Sequence, residues 1–205
     1  MARPRSDIEP RIVHAARRRF LKEGVDGASL RTIARDAKTS IGMVYYYFPT
    51  KDDLFFAVVE EVYQGILVDL LRALANDAPV KERIRRVYER IGNLSKLELA
   101  AVQLIAREVL VSSKRLDRLI ARFQKGHVPV VVQTLMEGVQ DGTIDPNIPP
   151  AVLFLCTVAV GAMPQLARRV IGKRLPLPGL ESEGFTEQLV NVLFNGIGGP
   201  RARAV

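Results

Sequence analysis

Cysteine, tryptophan, histidine and long apolar runs are scarce in this chain of 205 residues. Cys156 is the one cysteine, tryptophan is missing, and there are two histidines. A lone thiol rules out an intrachain disulfide and suits a reducing compartment, so a cytoplasmic protein is expected. Two distant histidines and one cysteine do not make a metal site. No cofactor is expected either: GxGxxG, the P-loop and HExxH are all missing. The acids lie scattered on solvated helix faces, so the chain is expected not to be an enzyme. The longest apolar run, Ala151 to Met163, is too short to cross a bilayer and is followed by Pro164, so no membrane partner is expected. The opening MARPRSDIEP is charged and lacks the apolar core of a secretion signal. Strand-like alternation and internal repeats are absent.

Apolar residues make up 48% of the chain, ample for a core, and they recur at helical spacing. The net charge is +8, and eleven Lys and Arg against five Asp and Glu fall within the first 51 residues. Most of the basic excess therefore sits in the first quarter of the chain. Standing alone, such an excess reads as a solubilising terminus. Here it surrounds a motif and reads as an electrostatic footprint on nucleic acid.

The motif runs from Gly27 to Leu54. Ser29 is an N-cap for a short helix in which Leu30, Ile33, Ala34 and Ala37 share one face. Ala34 and Ala37 are small enough to let a second helix come close. Thr39 and Ser40 cap that second helix, which carries Ile41, Gly42, Met43, Val44 and the run Tyr45 to Phe48 before Pro49 stops it. Val44 and Phe48 suit the core, which leaves Met43 and the three tyrosines around the other sides. Tyrosine hydroxyls donate to phosphate oxygens, and Arg31, Arg35, Lys38 and Lys51 supply neutralising charge. A helix braced on the backbone and a helix entering the major groove make a helix-turn-helix. Ahead of it, Ser6 and Glu9 form a capping box for a helix with Ile8, Ile12, Ala15, Ala16 and Phe20 inside. Gly24 and Gly27 end that helix.

This ordered set resembles the TetR-type repressors. Ser29, Ile33-Ala34, Ala37, Ser40, Gly42, Val44, Tyr45, Phe48, Lys51 and Leu54 stand at the family's positions. Two residues depart from the pattern. Lys38 stands where the turn often has glycine, which calls for a positive φ at a side-chain-bearing residue, and Thr39 stands where valine is usual. The resemblance implies an all-α fold: an N-terminal three-helix helix-turn-helix domain over 1–51 and a larger helical effector-binding and dimerisation domain over 52–199. A flexible tail over 200–205 completes the chain. It also implies a homodimer, paired through helices 151–171 and 183–195, that reads a palindrome in double-stranded DNA and acts as a repressor. Ile41, Gly42, Met43 and Tyr46 are its implied base readers, and the apolar Ile41 and Met43 favour thymine methyl groups. Ser29, Arg31, Tyr45, Tyr47 and Lys51 are its implied phosphate contacts, and Ser40 completes the DNA-binding set.

Downstream, Thr50 and Asp53 make a capping box for a helix running to about Ala75, whose wide apolar stripe links the two parts. Further helices are expected over Val80–Ile91, after the Ser95–Glu98 box, and after Ser112 and Ser113. Gly126, His127 and Pro129 are expected to kink the last of these rather than end it. Ala151–Ile171 is the most apolar helix, interrupted by Gly161 and Pro164. Polar or polarisable side chains within apolar stripes are the candidates for an effector pocket: Tyr63, Tyr88, Gln103, Phe123, His127, Met136, Phe154 and Met163, with Cys156 beside them. Each also fits ordinary core packing. His127 stands out because a kinked helix frees backbone groups and opens space. The implied effector is small and mostly apolar. The sequence is also compatible with a binder of any DNA that takes no effector.

Overall fold

Helical spacing along the chain becomes eleven α-helices, with no β-strand among the described residues. The computed structural model describes residues 7–111, 114–172, 174, 177–180 and 182–197. The helices are α1 (Ile8–Glu23), α2 (Leu30–Asp36), α3 (Ile41–Tyr47), α4 (Lys51–Ala73), α5 (Val80–Gly92) and α6 (Lys96–Val111). After them come α7 (Arg115–Gln124), α8 (His127–Gln140), α9 (Pro150–Thr157), a π turn (Val158–Ala162), α10 (Met163–Ile171) and α11 (Phe185–Ile197). They gather into two units, and α4 begins in the first and ends in the second.

The first unit takes the chain up to Ile66 together with Ser95–Ile120. Its core is Ile12, Ala16 and Phe20 of α1, Ile33 of α2, Val44 of α3, Leu54, Phe55 and Val58 of α4, Leu104 of α6 and Leu119 of α7. Each large apolar side chain so buried stabilises the unit by roughly 1.5–3 kcal/mol. Ion pairs tie α1 to its neighbours: Arg17 donates to Glu61 of α4 at 2.6 Å and Arg19 to Asp36 of α2 at 2.7 Å. The Thr50–Asp53 box forms: Asp53 N–H donates to Thr50 Oγ1 at 3.0 Å and Thr50 N–H to Asp53 Oδ2 at 3.2 Å. Ser95 and Glu98 do the same for α6, at 2.6 and 3.2 Å. At α1, Ser6 of the expected box lies outside the described residues, and Asp7 holds the N-cap position without a side-chain capping bond.

The second unit takes Leu67–Leu94 and the chain from Ala121 onward, with Ile84, Tyr88, Leu135, Ile144, Leu153 and Val190 at its centre. The expected kink at Gly126 is instead a break: α7 ends at Gln124 and α8 starts at His127. Pro129 falls in the first turn of α8, where its missing N–H has no intrahelical duty, so it starts the helix rather than bending one. Ser112 and Ser113, expected to open α7, lie outside the described residues.

The most informative packing is around Tyr88. Its hydroxyl donates to the carbonyl of Thr157 at 2.8 Å, an acceptor that the amide of residue 161 would take in an unbroken α-helix. Its ring fills the place where a Cβ on Gly161 would lie, so that position takes only glycine. The helix widens there, and Met163 N–H reaches back to Val158 O. The widening has a use. Leu153, Thr157, Gly161 and Gln165 are all buried, and Leu155, Ala159, Met163, Ala167 and Ile171 are all exposed. Rows spaced by four drift about 40° per step around an α-helix; the wider turn takes up that drift, so both rows keep their sides. Pro164 sits at the second position of α10 and does not stop the helix. Pro150–Ile171 is thus one 22-residue helical run, long and apolar enough by length and composition alone to cross a membrane. The helical run is therefore longer than the apolar run Ala151 to Met163 read from the sequence.

Candidate nucleic-acid interface

Helix α2 opens at Ser29, which has the extended backbone of an N-cap but makes no capping bond through its hydroxyl. The hydroxyl is exposed, and an exposed cap bond exchanges with water at little cost. The turn after α2 closes as a Schellman motif: Thr39 N–H donates to Ala34 O at 3.0 Å and Lys38 N–H to Arg35 O at 3.1 Å. This geometry puts its penultimate residue in the left-handed region. Lys38 sits there, with φ at 52°, at a cost of about 1–2 kcal/mol relative to glycine.

The turn delivers α3, a helix of seven residues. Ser40 caps it, its Oγ accepting from Met43 N–H at 3.2 Å. Val44 is sealed in the core and Phe48 nearly so. With that face fixed inward, the other side chains must turn out. Tyr45 is 53% exposed and Tyr46 76%. Gly42 and Ser40 are exposed, and Ile41, Met43 and Tyr47 are half-buried. Tyr47 meets the ring of Tyr46 edge-on at 5.2 Å and lines a groove of about 680 Å³ with Glu9, Pro10, Val13, Ala57, Glu60 and Glu61.

Arg31, Arg35 and Lys38 are exposed. Part of the basic excess counted in the sequence works inward instead. Arg19 bonds both Asp36 and Glu23, and Arg17 bonds Glu61. The Arg19 guanidinium holds the Asp36 carboxyl below the usual carboxylate range. Lys51 is half-buried, and its ammonium donates to the main-chain oxygen of Asp26 at 2.9 Å.

One group in this unit escaped the sequence reading. Arg115, at the start of α7, is buried and spends its guanidinium on three carboxylates. Nε donates to Glu108 at 2.7 Å, Nη1 to Asp52 at 2.8 Å and Nη2 to Asp26 at 2.9 Å. Nearby, Arg118 lies over the ring of Phe56 at 4.0 Å. No local pattern announces such a cluster, because the three partners of Arg115 come from three separate stretches of chain.

The eight pocket candidates are divided between the units. Tyr63, which is buried, and Gln103, which is exposed, belong to the first; Tyr88, Phe123, His127, Met136, Phe154 and Met163 belong to the second. The structure brings Phe123 and His127 together, with ring centroids 5.2 Å apart. Burial, and then the charge of Arg122, push the His127 imidazole below its ordinary pKa. Burial raises the phenol of Tyr88. Met136 and Phe154 are half-buried, and Met163 is exposed. A surface groove of about 430 Å³ in the second unit is lined by Asn76, Pro79, Arg83, Glu137 and their neighbours, and by none of the eight. Among the described residues, no group of three or more His, Cys, Asp or Glu could hold a metal ion.

Residues 12–58 match the family model of bacterial regulatory proteins, tetR family. The chain is 32% identical over 98 residues to the HTH-type nicotine-responsive transcriptional repressor HdnoR of Paenarthrobacter nicotinovorans; the match covers 48% of each, so it spans about half of that relative's length. It is 28% identical over 143 residues to the HTH-type transcriptional regulator UidR of Escherichia coli K12, covering 67% of this chain and 69% of that one. The fold is similar to the crystal structure of a transcriptional regulator FadR from Bacillus subtilis in complex with stearoyl-CoA. The TM-score is 0.73 at 19% identity, over 92% of this chain and 98% of that one.

Proposed function

Starting from the membership of this chain in the tetR family of bacterial regulatory proteins, we propose that it is a cytoplasmic transcriptional regulator. It acts as a repressor that binds a palindrome in double-stranded DNA as a homodimer. The observation that carries this reading is α3: a capped helix, anchored by Val44 and Phe48, that turns Tyr45 and Tyr46 out beside exposed Arg31, Arg35 and Lys38. Ile41, Gly42, Met43 and Tyr46 read base edges. Ser29, Arg31, Tyr45, Tyr47 and Lys51 hold phosphates, and Ser40 fixes the helix that presents them. The DNA-binding domain is 1–51 and the effector-binding and dimerisation domain is 52–199.

Pairing runs through helices 151–171 and 183–195. It is supported by the exposed apolar face of Val152, Leu155, Met163 and Val170, and by Val192 of α11. A single seven-residue helix binds weakly, whereas a two-fold pair reads two half-sites. A small, mostly apolar effector held in the helical domain releases the DNA. The nicotine-responsive relative and the acyl-CoA-bound neighbour support a small-molecule effector. Selection of bound fragments from random DNA should return a palindrome, and affinity for it should fall steeply with salt. A flat salt dependence, or equal saturation of random duplex, overturns this reading.

A further inference from the structure

Lys51, the phosphate contact of α4, has two acidic neighbours. Asp52 follows it in the chain, and its own ammonium rests on the main-chain oxygen of Asp26 at 2.9 Å. The Asp26 side chain is 83% exposed. Left alone, both carboxylates would compete with a DNA phosphate for the same lysine. They are not left alone. Arg115 reaches across 89 and 63 residues of sequence to bond Asp26 at 2.9 Å and Asp52 at 2.8 Å. Its third donor is committed to Glu108, which is itself buried, so the guanidinium is anchored before it meets the two acids. Five N–H groups in a fixed fork allow this; an ammonium has neither the number nor the geometry. The Arg115 bond holds the Asp26 carboxyl below the usual range, and the charge of Lys51 acts on it as well.

We propose that Arg115 is a positioning residue of the DNA interface: it occupies the carboxylates of Asp26 and Asp52, so that the Lys51 ammonium stays available to a phosphate. The inference rests on the reading of Lys51 as a phosphate contact. It extends the interface to a residue outside the helix-turn-helix. A purely structural arginine would join α6, α7 and α4 without acting on Lys51.

Fluorescence anisotropy on the full chain, with a duplex it selects from random DNA, separates the two roles. Arg115→Met should weaken binding about tenfold, alike for all sequences, and lower the salt slope by about one. Lys51→Ala should produce the same loss and add nothing to Arg115→Met. Asp26→Asn with Asp52→Asn should restore affinity and slope in the Arg115→Met background. Arg115→Lys keeps a cation beside Glu108 but cannot hold three carboxylates, so it should show the same loss in a chain that melts like the wild type. Losses that add to Lys51→Ala, or that the asparagine pair does not rescue, reduce Arg115 to a fold contact and end the proposal. So does an Arg115→Lys variant that binds normally. A wild-type protein that binds no DNA removes the underlying reading as well, a result distinct from failure of the Arg115 variants alone.

Discussion

Helix α3 and the run Pro150–Ile171 both leave large side chains in solvent, but with opposite chemistry. On α3 the exposed groups are Tyr45 and Tyr46, rings that end in hydroxyls, and the basic residues of the α2 turn stand near them in the chain. Along Pro150–Ile171 the exposed large apolar groups are Val152, Leu155, Val158, Met163, Val170 and Ile171, none with a hydroxyl or a charge to offer water. The first set suits a wet, anionic partner; the second suits a dry surface like itself. Each face is held from behind by a different device. Val44, Phe48 and the Arg19–Asp36 pair back the α2–α3 hairpin, and Tyr88 wedges the long helix.

The largest test of this contrast is to charge the dry face. Leu155→Asp, at a residue 63% exposed, should leave the fold intact, convert a dimer to monomers in sedimentation, and cost at least ~100-fold in affinity for a palindrome. A dimer that persists breaks the assignment of that face. Next is the wedge. Gly161→Ala drives a methyl into the Tyr88 ring and should cost about 3 kcal/mol in chemical denaturation, whereas Tyr88→Phe should cost ~1 kcal/mol; equal, small costs would mean that the π turn does not depend on the ring. On the wet face, Tyr46→Ala should relax sequence preference by roughly 1–3 kcal/mol, while Lys51→Ala should weaken every sequence alike. The reverse pattern would exchange their roles.

The smallest expected effect is acid sensitivity. Asp36 has its carboxyl depressed by Arg19, so its contribution is present above the usual carboxylate range and is lost as pH falls through the lower, folded-state value. Hydrogen-exchange protection in α2 should therefore fall below about pH 4, before that of α9, and Asp36→Asn should erase the difference. Simultaneous loss in both helices would show that the ion pair does not set the stability of the wet face.

What could be read from the chain was local. Ser40, Pro49 and the spacing of Val44 and Phe48 all act within one or two turns, and α3 forms where they point. Lys38 was expected to adopt a positive φ because it stands where the resembled family often has glycine, and it does. The α7–α8 break was misread because a proline in a first turn and a proline inside a helix differ only in where the preceding helix stops. Ser29 was expected to cap through its hydroxyl, but whether an exposed hydroxyl bonds the backbone or water is not written in residue type. The partners of Arg115 and Tyr88 were out of reach. Arg115 meets Asp26 across 89 residues and Tyr88 meets Thr157 across 69, and nothing in the intervening sequence marks those meetings.

The π turn makes the long helix count residues in an unusual way. Deleting one residue between Val158 and Ala162 would keep the later side chains on their present sides. Rewinding the turn to regular pitch with every residue kept would instead leave one residue too many for it, and everything after it would rotate by about 100°. Gln165, now wholly enclosed, would swing toward water, and the aliphatic row would turn off its line. The chain would keep its helix and its composition, yet the pairing proposed through this helix would lose its matching seam.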